Sequence, residues 1–80
     1  MKAIKKYTGG IHFLIQAAIA EDGRLFTRTQ DKTRWGYSWG KWKEKGKLDV
    51  NNLPGTIPAG FSTLYPTSKY NDFGARLPND

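Results

Sequence analysis

The dipeptide Asp22-Gly23 stands between a mostly apolar run, residues 11–20, and a run of strand formers, Arg24-Leu25-Phe26-Thr27-Arg28-Thr29, and this restricts the chain more than any other feature. Asp-Gly supplies the positive φ that tight hairpin turns need. The residues after it are β-branched, aromatic or long, which suits a pleated, half-buried strand.

The run before it reads at two periods. At period two, Ile11, Phe13, Ile15, Ala17 and Ile19 share a face; at helical spacing, Ile11, Leu14, Ile15, Ala18 and Ile19 do. Two details favour the strand. No Ser, Thr, Asp or Asn cap stands immediately before Ile11, only Gly9-Gly10. The Asp-Gly turn also follows almost at once. The expectation is a hairpin over 11–30. With a two-residue turn, Ile19 faces Phe26, Ala18 faces Thr27 and Ala17 faces Arg28. A third strand is expected over 35–43, after a turn at Asp31-Lys32-Thr33-Arg34, with Trp35, Tyr37 and Trp39 on one face.

Beyond residue 48 the composition changes. All four prolines lie there, at 54, 58, 66 and 78. Proline removes a backbone donor and is excluded from central strands. The second half therefore reads as turns, short strands and one helical turn. The predicted fold is mainly β: a small antiparallel sheet, with a barrel-like variant, on which a Pro/Gly-rich C-terminal segment packs. Residues 1–80 form one domain, divided into an arm or strand (1–10), a basic β-meander (11–47) and a turn-rich tail (48–80).

At 9.1 kDa the chain buries roughly 60–65% of its unfolded surface, enough for one thin core. Domains of this size are commonly stapled by disulfides, metals or a second copy. There is no cysteine and one histidine, His12, so disulfide and thiolate or His-based zinc staples are excluded, and no cofactor is expected. A homo-oligomer remains open. No apolar run approaches the ~18 residues of a membrane span, so no membrane partner is expected. Residues 11–20 imitate the core of a signal peptide only weakly. The expected location is the cytoplasm of a host cell, or a virion.

The charge is uneven. Residues 1–47 hold 11 Lys and Arg against 4 Asp and Glu, a balance of +7, whereas residues 48–80 hold 2 against 3. A basic field attracts nucleic acid, nucleotides and acidic proteins. Between residues 23 and 47 it is interleaved with aromatics. All three tryptophans fall within 35–42, beside Tyr37 and among Arg24, Arg28, Arg34, Lys41, Lys43, Lys45 and Lys47. Aromatic faces stack on bases or sugars, and guanidinium and ammonium groups pair with phosphate. The candidate contact residues are Arg24, Arg28, Arg34, Tyr37, Lys41, Trp42, Lys43 and Lys45.

A thin core also claims large side chains, since a Trp or Tyr buries ~150–250 Å². Strand parity assigns Trp35 and Trp39 to structure and leaves Trp42 partly exposed. The alternating row Lys41, Lys43, Lys45 and Lys47 reads in two ways: a phosphate-contacting row on one face, or a guard against aggregation on an edge strand. His12 lies in an apolar run and reads as packed rather than as a base. No Ser/His/Asp set, paired-carboxylate motif or Gly-rich phosphate loop occurs, and a non-enzyme is expected.

Asp22-Gly23-Arg24-Leu25-Phe26-Thr27-Arg28-Thr29-Gln30, followed by Trp35-Gly36-Tyr37 and Trp39-Gly40-Lys41-Trp42-Lys43, resembles a hairpin of phage tail-fibre knobs and sugar-binding propeller blades: a DG turn, an aromatic-x-Arg strand and a WxxW strand. The resemblance covers about a quarter of the chain and implies a phage or mobile-element origin. In size and charge the chain is also similar in kind to inhibitors of host defence. Three functions follow as expectations: a non-enzymatic module for an anionic macromolecule or phosphate-bearing ligand, an anti-defence inhibitor that occludes a host protein, and a tail structural or glycan-binding module.

Overall fold

The hairpin around Asp22-Gly23 is the centre of the fold. The computed structural model describes residues 3–9, 14–59, 62–67 and 77. Seven strands run through them: β1 (Ala3–Gly9), β2 (Ile15–Ala20), β3 (Arg24–Thr33), β4 (Gly36–Trp39), β5 (Lys43–Lys47), β6 (Ile57–Ala59) and β7 (Ser62–Pro66). They form one antiparallel sheet in the order β4-β3-β2-β1-β7-β6, with β5 also paired to β3. The mainly β expectation holds. The sheet is not closed into a barrel, and the described residues contain no helix. Ile11, His12 and Phe13, expected to begin the hairpin, lie outside the described residues.

The turn is longer than two residues. Glu21-Asp22-Gly23 connects β2 to β3, and Gly23 has a φ of 96°. A left-handed residue at the end of a three-residue loop is a common hairpin closure. The Gly23 N–H donates to the Ala20 carbonyl at 2.9 Å, and the Asp22 carboxylate accepts the Arg24 N–H at 3.1 Å. The register therefore slips by one from the expected one. Ile19 faces Leu25, Ala18 faces Phe26, Ala17 faces Thr27 and Gln16 faces Arg28. A slip of one moves side chains to the other face. Phe26 and Arg28 thus share a face with Ala18 and Gln16, not with Ile19 and Ala17.

β3 is ten residues long, and two strands divide its outer edge. Arg24–Thr27 pair with β5, and Gln30–Thr33 with β4. The third strand expected over 35–43 is thus two strands, broken at Gly40-Lys41-Trp42, where Trp42 turns inward to pack near Ala18, Ala20 and Phe26. The turn before it is Arg34-Trp35 rather than Asp31 to Arg34. Thr33 explains the shift: its hydroxyl oxygen accepts the Trp35 N–H at 3.2 Å and donates to the Gly36 carbonyl at 2.9 Å. Such local hydroxyl bonds favour turns.

Both faces of β2 are covered. On one, Tyr7, Ala17, Ile19, Ile57 and Leu64 are buried, with Leu25, Leu48 and Leu53 packed against them. Residues 48–56 connect β5, at one edge, to β6, at the other, and lay Leu48 and Leu53 on this face. The Tyr7 hydroxyl donates to the Pro54 carbonyl at 2.6 Å. On the other face, Ala18, Ala20, Phe26 and Leu77 are buried, with Ala3 and Trp42 against them. The short strands expected beyond residue 48 are β6 and β7, and they extend the sheet beyond β1. Phe61, Tyr70 and Phe73, expected to cover the sheet, lie outside the described residues.

Candidate functional site

Because β4 and β5 take opposite ends of β3, the middle of its outer edge is left open between them. The Gly40 N–H bridges the gap by donating to the Thr29 carbonyl at 2.8 Å. The result is an open groove of about 350 Å³, lined by Thr27, Arg28, Thr29, Asp31, Gly40, Lys41, Lys43 and Lys45. Three lysines, one largely buried arginine, two threonines and one aspartate border it. Among the described residues, none of Lys41, Lys43 and Lys45 is held in an ion pair.

A bulge produces this grouping. The β3–β5 register shifts between Leu25 and Phe26, so that Lys43 pairs with Thr27, Glu44 with Phe26, Gly46 with Leu25 and Lys47 with Arg24. Lys45 is the extra residue, and Gly46 carries a φ of 142°. Thr27 and Arg24 lie on opposite faces of β3, and so do Lys43 and Lys47. The lysine row expected on one face is therefore split: Lys41, Lys43 and Lys45 line the groove, and Lys47 does not. All five residues of β5 are exposed on an outermost strand, so lysine charge and the bulge also discourage edge pairing.

Both arginines in the first half of β3 are engaged by groups of the protein itself, Arg24 at the surface and Arg28 within it. Arg24 Nε lies 2.7 Å from Asp22 Oδ2 and its Nη1 3.3 Å from Glu44 Oε1; the guanidinium also lies over Phe26. The carboxyl of Asp22 is held below its ordinary range chiefly by the Arg24 N–H, with the guanidinium adding to the effect. Arg28 is buried. Its Nε donates to Gln16 Oε1 at 2.8 Å, and its guanidinium carbon lies 4.8 Å from the Trp39 ring centre and 4.5 Å from that of Trp42. Burial lowers its pKa from the ordinary value. Arg28 thus anchors the base of the β3–β4 hairpin, and its head group faces indoles rather than solvent.

Beyond the groove, β3 and β4 continue as a two-stranded arm. Every residue from Asp31 to Ser38 is exposed. Trp35, expected to be structural, is 89% exposed at the Arg34-Trp35 turn, which belongs to neither buried cluster of the described residues. Tyr37 is 65% exposed. Trp39 and Trp42 are half-buried, so two indoles pack and one projects. Of the eight candidate residues, Lys41, Lys43 and Lys45 meet at the groove, Arg28 lines it while its guanidinium packs on Trp39 and Trp42, Arg34 and Tyr37 sit on the arm, and Arg24 and Trp42 belong to packing. Thr27, Thr29 and Gly40 were not singled out from the sequence. Their role follows from the strand break, which no local motif marks.

Among the described residues, no group of three His, Cys, Asp or Glu side chains could hold a metal ion. The chain matches no family model, and no curated protein or solved structure is similar to it at a significant level.

Proposed function

We propose that this chain is a non-enzymatic binding domain that engages a negatively charged partner through the groove between β4 and β5. The observation that carries the reading is the convergence of Lys41, Lys43 and Lys45 on one open groove, without ion pairs among the described residues. Three ammonium groups at one place are mutually repulsive, and an anion relieves that repulsion. The Thr27 and Thr29 hydroxyls that border the groove can donate to the same oxygens. The chain's net charge of +6 adds a long-range attraction to any polyanion. Calorimetric titration with inorganic polyphosphate at low salt tests the reading. Binding that disappears in Lys41→Glu/Lys43→Glu/Lys45→Glu supports it; the absence of binding by the parent protein rejects it.

A second reading is favoured by Trp35 and Tyr37. Exposed Trp and Tyr are enriched at protein–protein hot spots. On that reading the arm inserts into a host protein and occludes it, as an anti-defence inhibitor would. It predicts that Trp35→Ala abolishes capture of one defined host protein, with little dependence on salt.

A further inference from the structure

We infer that the anionic partner is a single-stranded nucleic acid, with its phosphates along the lysine groove and a base stacked on Trp35 at the tip of the adjoining arm; Tyr37, paired with Lys32, lies on the sheet face opposite Thr27 and Lys43. The inference rests on the anion-binding reading of the groove, and adds to it an independent observation, the exposed arm. A small domain has few large side chains with which to build a core, and this one leaves an indole 89% and a phenol 65% exposed. Each could bury ~150–250 Å² if packed. Trp39 and Trp42 show what packing looks like here, since both indoles lie against the Arg28 guanidinium.

The surroundings of the two exposed rings select the partner. Arg34 adjoins Trp35 in the turn, and Lys32 is the cross-strand partner of Tyr37. Each flat ring therefore has a cation beside it, the combination that stacks a base and holds its phosphate. A protein hot spot instead lies at the centre of a well-packed patch ringed by contacts that exclude water. The arm has no such patch: Asp31, Lys32, Thr33, Arg34 and Ser38 surround the rings, all exposed. A duplex keeps its base faces within its own stack, so stacking on Trp35 requires an unpaired base. From Trp35 to Lys41 the chain covers six residues, about 20 Å at ~3.3 Å per residue. That lies within the reach of a single-stranded site of roughly 4–16 nucleotides.

Fluorescence anisotropy with three labelled probes tests the inference: a thymidine 12-mer, an abasic sugar-phosphate 12-mer of equal charge, and a polyglutamate peptide. The expected result is tighter binding of the thymidine strand than of the abasic one. Trp35→Ala should weaken the thymidine strand by roughly 5–150-fold, the loss of one base stack, and leave the abasic strand unchanged. Circular dichroism checks the fold of the variant, whose substituted side chain is almost fully exposed in the parent. Equal affinity for both strands, unaltered in Trp35→Ala, would overturn the inference while sparing the groove. Tight polyglutamate binding that depends on Trp35, without preference for bases, would overturn it in favour of an acidic protein. No binding of any probe would overturn both readings together.

Discussion

Arg28→Met separates an anchoring role from a contact role at one of the eight residues the sequence offered as partner contacts. The substitution keeps an unbranched stem and removes the guanidinium. It deletes a buried hydrogen bond to Gln16 at 2.8 Å and two ring contacts at 4.8 and 4.5 Å. A hydrogen bond to a charged group contributes about 1.5–3 kcal/mol. Each desolvated cation–π contact adds roughly 0.5–2 kcal/mol. Relief from burying a charge offsets part of this. The net loss is about 2–4 kcal/mol, out of roughly 5–15 kcal/mol for a whole domain. For a domain of this size that lowers Tm by roughly 10–30 °C. Urea unfolding followed by circular dichroism measures it, and Gln16→Leu with the double variant isolates the pair. A coupling energy of about 1–2 kcal/mol is expected. Stability within about 0.5 kcal/mol of the parent, as for an ordinary surface site, would refute the anchoring role. A large loss of polyanion affinity at unchanged stability would refute it as well.

Other substitutions test the fold. Gly23→Ala places a Cβ 2.5 Å from the Leu48 carbonyl oxygen at a φ of 96°, so it should cost more than the ~1–2 kcal/mol of left-handed backbone alone, measured by urea unfolding. Tyr7→Phe leaves the Pro54 carbonyl without its donor and should cost about 1–3 kcal/mol at neutral pH. Burial raises the Tyr7 pKa above its ordinary 10.0. The folded protein therefore holds that proton longer than the unfolded chain does. This contribution is fully present below pH 10.0 and is lost as pH rises through the folded pKa, so Tyr7→Phe should flatten the alkaline fall of Tm. Asp22 behaves in the opposite sense. Its pKa is lowered from 3.8, so its contribution is present above that value and lost as pH falls through the folded pKa. Asp22→Asn should accordingly flatten the acid limb of the Tm profile.

What the sequence disclosed was the hairpin and the β class; what it concealed followed from four local details. The Asp-Gly turn was legible because few other dipeptides reach its backbone angles. Its length was not, since Glu21 joins the loop without any mark of its own, and one extra residue exchanged the faces of Phe26 and Arg28. Residues 15–20 were ambiguous for a physical reason: a strand buried on both faces has no polar alternation to reveal it. The strand break at Gly40 was hidden inside a run that alternates well enough to pass as continuous. Trp42 decides it, by leaving the strand for the Phe26 face, and that preference depends on contacts distant in the chain. The lysines were read correctly as a group of cations. Their division between groove and opposite face depended on a bulge at Lys45 that alternation alone does not reveal.

The account stands on the groove lysines, and salt dependence tests them most directly. Affinity for the abasic sugar-phosphate 12-mer should be measured across a series of salt concentrations for the parent protein and for Lys41→Ala/Lys43→Ala/Lys45→Ala. On a single strand, log K falls against log salt by about 0.7 for each phosphate neutralised. Removing three contacts should weaken binding at low salt and make the slope shallower by about 2. Parent and triple variant with the same slope and the same affinity would contradict the account.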